Sequence, residues 1–116
     1  MSNYQHDLEE KFAEILDHFA IEYEYEPTMF VLGRNGDGDI TKGFTPDFYL
    51  PELEIYVEIT SMNGSACSRK RRKIELLKEM HNIDAILLKR PEINDLISKF
   101  QKGSLHLDDL CGTLAI

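Results

Sequence analysis

Apolar residues recur at helical spacing near the start of the chain: Leu8, Phe12, Ile15, Leu16 and Phe19, with Glu9, Glu10, Glu14 and Asp17 between them. This spacing predicts an amphipathic helix over residues 7–20. The period then changes. Residues 21–26 alternate strictly as Ile-Glu-Tyr-Glu-Tyr-Glu, the pattern of a half-buried strand. Pro27 has no N–H for a ladder and makes that strand an edge or bends it. Residues 28–32 continue as strand, and the turn cluster over 33–39 predicts a hairpin. Residues 44–50 and 55–60 read as two further strands with a turn at Pro51 and Glu52. Helical spacing returns over 65–80, with Ile74, Leu77 and Met80 on the buried side. An apolar run of strand length covers 83–88. Pro91 suits the first turn of a last helix, striped by Ile93, Leu96, Ile97 and Phe100.

The predicted order is α-β-β-β-α-β-α, with three or four strands before the second helix. The class is α/β, a mixed β-sheet flanked by helices on both faces. With 116 residues, 42% of them hydrophobic, the chain has the length for one domain over 1–116 with its own core. No apolar run approaches the roughly 20 residues of a membrane span. The opening MSNYQHDLEE has neither the basic nor the apolar region of a signal peptide, so a cytoplasmic protein is expected. Cys67 and Cys111 form no CxxC, and His6, His18, His81 and His106 are scattered. Neither a disulfide framework nor a zinc site is expected of them. Asn35, Asp37 and Asp39 alternate as the first ligands of an EF-hand do. The glycine such a loop needs at its sixth position is Ile40, and the glutamate at its twelfth is Pro46, so turn chemistry is the better reading.

A net charge of −8 argues against a polyanionic partner until its distribution is considered. Arg69-Lys70-Arg71-Arg72-Lys73 holds five of the 13 basic residues. A basic block on an acidic body can serve as a local phosphate contact. The plainer alternative is a solvated helix face.

Alternation along 55–60 places Tyr56, Glu58 and Thr60 on one face, and along 44–50 it groups Thr45, Asp47 and Tyr49. If the two strands pair through their short turn, Asp47 and Glu58 point into one space. Carboxylates that close repel unless a proton or a cation lies between them. An all-oxygen ligand set suits magnesium or manganese better than zinc. Such an ion polarises a phosphodiester and acidifies a bound water, which is what phosphodiester hydrolysis requires. The alternative is an aspartate in a turn-like stretch and a glutamate exposed on a strand.

Pro46-Asp47, then Glu58-Ile59-Thr60 on the next strand, with a glutamate-bearing helix ahead and a basic helix behind, resembles the PD-(D/E)xK nucleases. That family includes restriction enzymes and a phage endonuclease that resolves Holliday junctions. The phrases PDFYLP and YVEIT look like its small phage-resolvase and helicase-associated branches, and the resemblance runs from about residue 8 to residue 90. It implies a restriction-endonuclease-like core and a metal-dependent DNA endonuclease, with Mg2+ or Mn2+ and no small-molecule cofactor. It implies Asp47, Glu58 and the backbone carbonyl of Ile59 as metal ligands. Glu9 of the first helix would complete the site, with Glu10 in reserve. Thr60 departs from the pattern, because the family has lysine there. Some branches carry that lysine on the following helix, which implies Lys73 as the catalytic lysine and Lys70 as the alternative. Arg69, Lys70, Arg71 and Arg72 are the expected DNA contacts. Small enzymes of this kind often pair to cut both strands, and the Tyr23–Tyr25 edge or the 33–43 hairpin could supply a homodimer contact. With no lysine in reach, the domain would be an inactive module that binds DNA or a partner protein.

Overall fold

The centre of the molecule is the strand Ile55–Thr60, buried from Val57 to Thr60 whichever way its side chains point. A computed structural model describes residues 7–61 and 64–115; His6 and the first residues of MSNYQHDLEE lie outside them. The described elements are α1 (Asp7–His18), β1 (Glu24–Tyr25), β2 (Phe30–Arg34), β3 (Ile40–Phe44), β4 (Phe48–Leu50), β5 (Ile55–Thr60), α2 (Gly64–His81), β6 (Ala85–Lys89), α3 (Arg90–Gln101) and α4 (Leu107–Thr113). The fold is mixed α/β. Its main sheet has the order β1-β4-β5-β6, antiparallel except between β5 and β6, which run parallel. A parallel neighbour needs a crossover, and α2 provides it.

Side-chain alternation sorts the sheet into two faces. Phe48, Leu50, Val57, Ile59 and Leu88 point to one, where α1, α3 and α4 close over them with Phe12, Leu16, Ile93, Leu96 and Leu110. Phe48 is fully enclosed, with Phe12, Tyr23 and Tyr25 edge-on to its ring at 5.2–5.5 Å. Both tyrosine rings thus turn inward from the β1 side, the edge of the sheet. The opposite face is covered by α2 and by the hairpin of β2 and β3, where Leu32, Phe44 and Leu77 form a second, smaller cluster. Phe30 stands edge-on to Tyr56 at 5.3 Å, and His81 Nε2 lies 2.9 Å from the Val31 carbonyl, pinning the hairpin to the end of α2.

Met80, expected on the buried side of α2, is 51% exposed; four larger features also differ from the sequence expectations. Residues 44–50 are not one strand: Thr45-Pro46-Asp47 interrupts them, and the chain passes from the hairpin to the main sheet there. Pro46 cannot donate to a ladder, which explains the break. The alternating run 21–26 forms only the two-residue β1, ended by Glu26 in the left-handed region (φ 45) ahead of Pro27. Gly33 belongs to β2, and the turn is confined to residues 35–39. There Asn35 Oδ1 accepts from the Asp37 and Asp39 N–H groups at 2.9 and 3.0 Å, and Gly38 takes φ 85. Finally, α4 adds a helix beyond the expected order; its Leu110, followed by Leu114, plugs the α3 side of the core.

Candidate functional site

Three strands bring carboxylates into one row. The register of β4 against β5 pairs Phe48 with Val57, so one residue further Asp47 stands opposite Glu58. The register of β1 against β4 pairs Tyr25 with Phe48, and one residue further Glu26 meets Asp47. Hydrogen bonds fix both relations. The Glu26 N–H donates to the Asp47 carbonyl at 2.8 Å. The Asp47 N–H donates to Glu58 Oε1 at 3.1 Å, and the Ile59 N–H donates to Asp47 Oδ2 at 2.8 Å. Asp47 thus keeps one backbone bond, its carbonyl to the Glu26 N–H, while its side chain takes the Ile59 N–H.

A fourth carboxylate arrives from α1. Glu9 lies on the Phe12–Leu16 side of the helix and is only 2% exposed, against 8% for Asp47 and 5% for Glu58. Oxygens of Glu9, Glu26 and Asp47 all lie within 4.8 Å of one another. Burial, a hydrogen bond to Glu9 and the nearby charge of Glu58 push the Asp47 carboxyl up from 3.8 to about 9, with the Ile59 N–H opposing them. Near neutral pH the Asp47 carboxyl therefore keeps its proton. Burial also raises Glu58, while the Lys70 ammonium and the Asp47 N–H pull it back down.

The cation at the site is Lys70. Its Nζ lies 2.9 Å from Glu58 Oε2 and 3.3 Å from the Ile59 carbonyl oxygen. Lys73, the first expectation from the sequence, does not line this cleft, whose walls are Glu9, Glu26, Thr45, Asp47, Glu58, Ile59 and Lys70. The reason is helical geometry. α2 starts beyond the Thr60 end of β5 and runs back along the sheet, and each residue carries the helix about 1.5 Å further from that end. Lys70 is early enough to reach Glu58. Glu10, the reserve for Glu9, is likewise absent from the walls. Thr60 is buried, 2% exposed, in an adjoining hollow with Lys70 and Arg90.

In the cluster of oxygens that could hold a metal ion, Glu9 and Glu26 join Asp47. Glu58 and the Ile59 carbonyl, expected beside it, are engaged by Lys70, and Glu26 takes a place for which the sequence nominated no residue. Its signal was there: Glu26 closes the alternation of 21–26 just before Pro27, but only the β1–β4 register shows that it meets Asp47. Four carboxylates around one cleft of about 360 Å³ offer only oxygen donors, which fits a hard divalent cation. Of the expected DNA contacts, Lys70 is committed to Glu58 and Arg72 to Glu75 and Glu79, which leaves Arg69 and Arg71 exposed to solvent. No helix among the described residues is long and apolar enough to cross a membrane.

No family model, no curated protein and no solved structure matches the chain.

Proposed function

We propose that this chain is a metal-dependent DNA endonuclease with a restriction-endonuclease-like core. The observation that carries the reading is the convergence of Glu9 of α1, Asp47 just ahead of β4, Glu58 of β5 and Lys70 of α2 at an open cleft. Magnesium or manganese, when bound, would polarise a phosphodiester and make water a better nucleophile. Glu9, Glu26 and Asp47 are the residues to hold it. The Ile59 N–H holds Asp47 Oδ2, and the same carboxyl is hydrogen-bonded to Glu9. Lys70 supplies the positive charge that Thr60 cannot. Held by Glu58 and the Ile59 carbonyl, its ammonium is positioned to stabilise charge developing on a phosphate in the cleft.

The test is incubation with supercoiled plasmid, branched DNA and single-stranded DNA, with and without Mn2+ or Mg2+. The expected result is ion-dependent cleavage that Asp47→Asn abolishes. Failure to cut any of the three with either ion would overturn the reading and leave an inactive nuclease-like module.

A further inference from the structure

The carboxylate cleft does not end at Lys70. It shares Glu9, Ile59 and Lys70 with the hollow that contains Thr60, and that hollow shares Ser61 and Arg90 with a third depression between α2 and the start of α3. The third depression has a volume of about 470 Å³ and a different chemistry: Arg71, Lys89 and Arg90 line it, with Ser61 and Ser68. On a protein of net charge −8, three cations around one cleft call for a cause. Lys78, Arg72 and Lys99 sit in surface ion pairs with neighbouring carboxylates. Arg71, Lys89 and Arg90 have no carboxylate within ion-pair distance among the described residues. Lys89 and Arg90 come from the end of β6 and the start of α3, so three elements converge to build the cluster, and Glu92 of that first turn is turned back onto the Lys89 N–H at 3.2 Å.

We propose that this cleft seats backbone phosphates of the nucleic-acid strand whose scissile phosphate lies at the carboxylate cleft, an inference that rests on the endonuclease reading. The track then runs from Asp47 past Thr60 and Arg90 to Arg71 and Lys89. Guanidinium groups suit it because they grip phosphate oxygens in a bidentate fork. The contact set differs from the one the basic block suggested. Lys89 and Arg90 enter it from beyond the block, at the junction of β6 and α3, while Arg72 leaves it because Glu75 and Glu79 hold it at 3.1 and 3.6 Å.

The experiment measures binding of a fluorescent DNA duplex without added divalent ion, over a series of salt concentrations. Wild type is compared with Arg71→Gln/Lys89→Gln/Arg90→Gln and with Arg72→Gln. Arg71→Gln/Arg90→Gln is included because both its sites are exposed, whereas Lys89 is half-buried. The expected result is a drop in affinity on the order of tenfold or more in the triple variant, with the slope of log K against log salt reduced by about 0.9 for each phosphate no longer neutralised. The double variant should show a smaller drop, and Arg72→Gln should bind as wild type does. An unchanged slope in the triple and double variants, or no binding by wild type, overturns the phosphate track. Plasmid cleavage with Mn2+ is scored separately. Cleavage with an unchanged slope removes the track and leaves the endonuclease; cleft-dependent binding without cleavage does the reverse.

Discussion

Lys70 reaches across from α2 to Glu58, Nζ to Oε2 at 2.9 Å, and touches the Ile59 carbonyl at 3.3 Å. It thereby places an ammonium beside the position where the family pattern carries lysine and this chain carries Thr60. Lys70→Ala is expected to slow cleavage by on the order of a hundredfold or more, the scale of one missing transition-state donor. Lys73→Ala, three residues further along the helix and outside the cleft, should cleave at close to the wild-type rate. Thr60→Lys should restore part of the activity of Lys70→Ala. Single-turnover rates in Mn2+ for the four proteins check this, and equal rates for Lys70→Ala and wild type would remove Lys70 from the chemistry.

The raised Asp47 carboxyl makes stability depend on pH. Its folded value, about 9, lies above its ordinary 3.8, so between these limits the folded chain binds the extra proton. Stability from this group is full at low pH and is lost as pH rises through that window. Urea midpoints in the absence of divalent ions should therefore be higher at pH 5.5 than at pH 8.5. Asp47→Asn, which keeps an acceptor for the Ile59 N–H but loses the charge, should flatten the difference. A midpoint that rises with pH in wild type and not in Asp47→Asn would reverse the assignment.

Leu110 of α4 is fully buried and joins the cluster under α1 and α3. Leu110→Ala should cost about 2–5 kcal/mol, the range for truncating a buried leucine. Exposed Leu107 on the same short helix, 49% accessible, should tolerate alanine with a change within about 0.5 kcal/mol. Chemical denaturation of both variants measures the contrast, and equal effects would mean that α4 does not pack as described.

The parts legible in the sequence were those in which one periodic face meets a buried surface. α1, α2, β5 and α3 fall within a residue or two of their expected limits because each carries an apolar stripe or a strict alternation. The Asp47–Glu58 relation followed from strand alternation alone, and Glu9 from the resemblance. What was not legible depends on pairings between distant segments. Nothing local announces that Pro46 hands the chain from one sheet to another, or that β1 lies against β4 and brings Glu26 to Asp47. Lys70 and Lys73 are equally basic in sequence. Only the direction of α2 relative to β5 separates them. α4 did have a signal, in Leu107, Leu110 and Leu114 at helical spacing, but it spans barely two turns.

The carboxylate centre is tested most directly by titrating the protein with Mn2+ in a calorimeter at pH 7 and pH 8.5. A centre built on Glu9, Glu26 and Asp47 must give up the proton on Asp47 when the ion enters, so affinity should be higher at pH 8.5. Asp47→Asn and Glu9→Gln should each weaken binding on the order of tenfold or more, within the range seen when groups at a metal site are removed. Lys73→Ala should leave it unchanged. Equal Mn2+ affinity in wild type, Asp47→Asn and Glu9→Gln would contradict the site outright.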